Sequence, residues 1–126
     1  MIRSRAYIFQ PYQSITNQLG HFVIGQASSH VLSFDGGSWV AAAGAALGYF
    51  IIAELIKQNF MAQSRFMQWD AIVDTWFASL GAAFIAAIVA GSWWLGTCVL
   101  AILGASLAVN YYSRLWIVNN RGEWLR

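Results

Sequence analysis

The sequence predicts an all-α protein, an integral membrane bundle of four transmembrane helices with both termini in the cytoplasm. Three observations lead there. Of 126 residues, 59% are hydrophobic and only 10% are charged, whereas a soluble domain carries about 25% charged residues. The apolar residues form long runs, each close to the roughly 20 helical residues that a 30 Å hydrocarbon core requires. The basic residues fall between those runs on alternate connections, which sets one face of the membrane.

The expected helices lie at about 18–34, 39–57, 70–91 and 93–113. The first is the most polar, since Leu19 to Phe34 holds His21, Gln26, Ser28, Ser29 and His30. Taken alone it fits a short span, a re-entrant segment or an interfacial helix. The second, Trp39 to Ile56, has Glu54 as its only charge, and the third, Ala71 to Gly91, has only Asp74. A tight turn at Gly91-Ser92 leads to the fourth, which is apolar or small from Trp93 to Val109 and continues into Asn110, Tyr111 and Tyr112.

Charge placement decides in favour of four spans. With the first segment crossing, Arg3, Arg5, Lys57, Arg65, Arg114, Arg121 and Arg126 all fall on one face. The other face keeps the loop at Asp35-Gly36-Gly37 and the turn at Gly91-Ser92. The excess of Lys and Arg assigns the first face, with both termini, to the cytoplasm. Trp39, Trp93 and Trp94 then mark the outer interface, and Trp69, Tyr111, Tyr112 and Trp116 the inner one, as aromatic belts do. A cleaved signal peptide is not expected, because Phe9 to Gln18 is polar and no continuous apolar stretch follows. No linker or low-complexity tract divides the chain, so residues 1–126 read as one transmembrane helical domain.

Small residues indicate helix packing. Gly44 and Gly48 form a GxxxG pattern, Ala82, Ala86 and Ala90 repeat at four-residue spacing, and Gly81 lies on the same helix. Such stripes let backbones approach closely in lipid. By helical periodicity Gly44, Gly48, Ile51, Glu54 and Gln58 share a face. So do Asp70, Asp74, Phe77 and Gly81, and so do Asn17, His21, Gly25 and Ser28, while Asn110 and Arg114 are four apart.

These faces predict a polar cluster near the cytoplasmic leaflet: Asn17, His21, Glu54, Gln58, Asp70, Asp74, Asn110 and Arg114. Charges within membrane helices face the bundle interior and pair there. Arg114 and His21 are the available cationic partners for Asp70 and Asp74. A plainer reading places Glu54 and Asp74 among headgroups one turn from the interface, and Asp70 as an N-cap or first-turn acid favoured by the helix dipole. His21 and His30, nine residues apart on opposite faces, are the only histidines, so one subunit supplies no bis-His haem site. Cys98 is the single cysteine and sits in an apolar run, so neither a disulfide framework nor a Cys metal site is expected. No cofactor and no metal are anticipated.

Glu54-x3-Gln58, followed by Arg65, Asp70, Asp74 and Gly81, resembles the core of the VanZ-like membrane proteins. Members of that family have an acid-plus-Gln helix end, a basic connector and an Asp-x3-Asn-x2-Gly helix. The likeness covers residues 54–81 and departs at Ala78, where the family has Asn. It implies a small multi-span membrane protein, linked in part of the family to glycopeptide tolerance, and does not imply an enzyme.

Catalytic constellations are missing from the sequence: there is no phosphate loop, HExxH or CxxC, and no nucleophile with a matching base. Seven basic residues strung along one membrane face make no nucleic-acid groove. The leading expectation is a non-enzymatic bacterial inner-membrane protein that self-associates or joins a larger membrane complex, with the lipid bilayer as its solvent. A phage holin or other pore-forming oligomer is the first alternative. Ion, proton or lipid handling through Glu54 and Asp74 is the second.

Overall fold

The computed structural model describes the backbone of residues 11–32, 39–60 and 65–120 and the side chains of 13–32, 39–53 and 68–120. Four helices account for nearly all of it: α1 (Pro11–Leu32), α2 (Trp39–Phe60), α3 (Arg65–Val89) and α4 (Trp93–Asn119). Among the described residues there is no strand. The helices pack as a bundle in which α3 touches the other three, most extensively α1 and then α2.

Two helical stretches, Gln68–Val89 and Trp93–Asn119, are long and apolar enough to cross a membrane. Trp39–Ala53 is apolar but shorter. Helix α1 begins at Pro11 rather than near residue 18, α3 at Arg65 rather than 70, and α4 continues to Asn119 rather than 113. In each case a polar stretch expected to end the helix extends it instead. Asn110 and Arg114 find partners on other helices, so they do not compete for the backbone of their own.

The turn between α3 and α4 follows from one residue. Gly91 takes φ +73°, the left-handed region that glycine enters without a Cβ penalty. The Gly91 amide donates to the Ile88 carbonyl and the Ser92 amide to that of Ala87, at 3.0 and 2.9 Å. That is the Schellman pattern, which satisfies carbonyls left over at a helix end. The chain reverses there in three residues.

Helices α1 and α3 approach backbone to backbone. A Cβ added to Gly25 would land on the carbonyl of Ala78, and one added to Gly81 on that of Phe22. With Gln18 bonded to Asp74 at one level and Gln26 beside Gly81 further along, α1 and α3 run in the same direction. Phe22, Val73, Phe77, Leu80, Val99 and Leu103 fill the centre of the bundle. A second cluster, Ala42, Ala45, Ala82 and Ala86, joins α2 to α3.

The GxxxG expectation for α2 requires correction. A Cβ at Gly44 or Gly48 would meet nothing within 4 Å, whereas Ala42 and Ala45 are buried. Within the described bundle α2 packs through the alanines, and the Gly44 face is turned away. Hydrophobicity surrounds this helix on every side, so spacing alone does not show which stripe is internal.

Candidate functional site

Polar side chains gather where α1 and α3 begin and α2 and α4 end. Helix α1 presents Ser14, Gln18, Phe22, Gly25 and Ser29 inward, all buried. This stripe shares Gly25 with the expected Asn17, His21, Gly25 and Ser28 face and is rotated from it by roughly 70°. His21 lies at its margin and reaches two other helices.

The centre of the site is Asp74, 4% exposed. Its Oδ1 accepts a hydrogen bond from Gln18 Nε2 at 2.9 Å. The same oxygen lies 3.3 Å from His21 Nε2. On the far side of the imidazole, Nδ1 is 2.6 Å from the Tyr49 hydroxyl of α2, and the two rings meet edge to face. Asn17 Nδ2 lies 3.2 Å from His21 Nε2, one turn away on the same helix. One imidazole therefore ties together α1, α2 and α3.

A second group connects α4. Arg114, 3% exposed, donates from Nη2 to Asp70 Oδ1, and Asn110 donates to the Ser14 hydroxyl at 2.9 Å. Asp70 belongs to the second turn of α3, which has no acid in its first turn. The expected N-cap or first-turn role is therefore replaced by a cross-helix ion pair. Asp70 and Asp74 stand one turn apart and face different partners.

Of the residues proposed from sequence, Asn17, His21, Asp70, Asp74, Asn110 and Arg114 all lie at this end of the bundle. The side chains of Glu54 and Gln58 fall outside the described residues, as do those of Lys57 and Arg65, all of residues 1–10 and 121–126, and the Asp35-Gly36-Gly37 loop. Gly81 lies at the close crossing with α1.

Ser14, Gln18 and Tyr49 were missed by sequence reasoning. The i, i+4 spacing of Ser14 and Gln18, continued by Phe22, was a usable signal. Tyr49 gave none, because tyrosine in an apolar helix reads as interface or core.

Three buried acceptors lack a hydrogen-bond partner among the described residues: Gln18 Oε1, Ser29 Oγ and Asn110 Oδ1. Buried polar atoms ordinarily have one. The donor set of carboxylate, imidazole, phenol and carboxamide is suited to holding and passing protons. Among the described residues no three His, Cys, Asp or Glu side chains converge as metal ligands do. Cys98 lies near the start of α4, at the opposite end from the polar site, half-buried and free.

No family model, curated protein or solved structure matches the chain.

Proposed function

We propose that this chain is a four-span inner-membrane protein without enzymatic turnover, VanZ-like in arrangement. It works by associating with itself or with other membrane proteins around the polar cluster at its basic end. The observation that carries this reading is an inside-out distribution of polarity. Asp74, Arg114, Asn110, Gln18 and Ser29 are buried, while Val31, Val40, Leu47, Ile52, Val109 and many other large apolar side chains are exposed, Val40 by 82%. Water as solvent would penalise both halves of that pattern, whereas lipid favours both.

Aromatic placement adds support. Trp39, Trp93 and Trp94 are exposed at one end of the bundle, and Trp69, Tyr112 and Trp116 at the other. Trp93 and Tyr112 on α4 are separated by about 28 Å at 1.5 Å per residue, close to the hydrocarbon thickness. The polar face of α1 is consistent with spanning because its Gln18 and Ser29 point inward.

Reporter fusions test the topology. A fluorescent protein after Arg126 should be bright and an alkaline phosphatase there inactive. An active phosphatase overturns the arrangement. Cysteine cross-linking in native membranes should trap oligomers or partner adducts; rapid collapse of the membrane potential on expression would favour the pore-forming alternative.

A further inference from the structure

We infer that Tyr49, His21, Asp74 and Gln18 form a proton-binding site, a relay running across three helices in which Asp74 is the final acceptor. The inference deepens the proposed role of the polar cluster, but it draws only on the internal geometry of the bundle.

Donor and acceptor counts give the relay a consistent direction. An ionised carboxylate only accepts hydrogen bonds. At Asp74 Oδ1 two groups converge, Gln18 Nε2 at 2.9 Å and His21 Nε2 at 3.3 Å. In the relay we infer, the imidazole carries its hydrogen on Nε2 while Asp74 is ionised, which turns the 3.3 Å contact into a donor facing a carboxylate. In the neutral ring Nδ1 is then bare, so the Tyr49 hydroxyl donates to it across 2.6 Å. That tautomer requires Asn17 to present its oxygen rather than Nδ2 to the ring, an exchange of the two amide atoms that leaves the shape unchanged.

A proton arriving at the Tyr49 oxygen moves the chain by one step. The Tyr49 hydrogen passes to His21 Nδ1 as the new proton replaces it, giving an imidazolium beside the Asp74 carboxylate. Transfer of the Nε2 hydrogen to Asp74 then yields a neutral ring and a neutral acid. One proton is taken up and no bond other than O–H and N–H changes.

The protonated acid needs an acceptor, and the site contains one. Gln18 is fully buried, and its Oε1 has no partner among the described residues. It belongs to the same carboxamide that already donates to Asp74. A carboxamide serves a carboxylate through N–H and a carboxylic acid through C=O, so Gln18 fits both states of Asp74. The unsatisfied oxygen, a defect in the ionised state, has a use in the protonated one.

Among the described residues, the other ionisable groups near His21 are Tyr49 from α2, Asp74 and, one turn away, Asp70 from α3, with Arg114 of α4 held by Asp70. Arg114 donates to Asp70, and none of the proton steps above requires that ion pair to break.

The test uses the full chain in lipid nanodiscs with 15N-labelled histidine and His30→Asn, leaving His21 as the single ring observed. At alkaline pH the nitrogen spectrum should show the Nε2–H tautomer alone. Tyr49→Phe and Asp74→Asn, each removing one group with little change in shape, should produce mixed tautomers while gel filtration stays unaltered. Infrared difference spectra on acidification should show a protonated carboxylic acid band that disappears in Asp74→Asn and shifts in Gln18→Met. An Nδ1–H tautomer in the parent, unchanged tautomers in both variants, or no Asp74-dependent acid band would overturn the inference. A misplaced C-terminus in the fusion assay would leave these spectra untouched, so the two proposals fail separately.

Discussion

The two ends of the bundle are joined in different ways. At the end containing Asp74, helices meet through directed bonds between long polar side chains: Gln18 to Asp74, Tyr49 with His21, Asn110 to Ser14, and Arg114 to Asp70. Towards the other end they meet through small residues, with Gly25 against Ala78, Gly81 against Phe22, and Ala42 and Ala45 alongside Ala82 and Ala86. A bilayer gives apolar side chains no reason to leave lipid for one another, so association depends on close packing and hydrogen bonds. In the bilayer setting we propose, this bundle uses one at each end. Close packing holds the helices at a fixed distance, and the polar end sets their rotation and identity.

The largest effect is expected at the ion pair. Asp70→Leu takes from the buried Arg114 the carboxylate it donates to, a loss of about 3–5 kcal/mol by analogy with broken buried pairs. Adding Arg114→Met should recover most of it. Unfolding in mixed micelles with increasing denaturing detergent measures both, and a double variant as unstable as the single one would show that the pair is not the determinant.

Next comes the close crossing. Gly25→Leu and Gly81→Leu each force backbone against side chain and should cost about 3 kcal/mol, the upper end of overpacking. Even alanine should be felt at either position, because the first carbon meets a carbonyl. Thermal stability in detergent reads the effect, and an unperturbed Gly81→Ala would contradict the packing.

At Asp74 the expected outcome separates shape from bonding. Asp74→Leu leaves Gln18 and His21 without their shared acceptor and should cost about 1–3 kcal/mol. Asp74→Asn keeps a carbonyl oxygen for Gln18 and should lose markedly less. Equal losses would mean that the pocket selects size rather than hydrogen bonding.

The smallest effects mark surfaces the bundle does not use. Gly44→Leu and Gly48→Leu add side chains where nothing lies within 4 Å, and should leave the unfolding midpoint within about 0.5 kcal/mol. If either variant abolishes cross-linked oligomers while the midpoint holds, that face serves a partner rather than the fold.

Composition and run length were enough to read an all-helical chain, the positions of four helices and the reversal at Gly91-Ser92, because hydrophobic length and a glycine's freedom are local properties. The gathering of Asp74, His21, Asn110 and Arg114 was also legible: a charged or strongly polar side chain in an apolar helix has few low-energy places, and all of them face inward. Which stripe of each helix faces inward was not legible. With apolar residues on both the outward and the core side, periodicity carries little contrast, so the α1 face was read roughly 70° out of place and the α2 face was assigned to Gly44 and Gly48 instead of Ala42 and Ala45. Pairing was decided only in three dimensions. The contact of Tyr49 with His21 and of Gln18 with Asp74 depends on the spacing and rotation of α1, α2 and α3, and these follow from the close approach at Gly25 and Gly81.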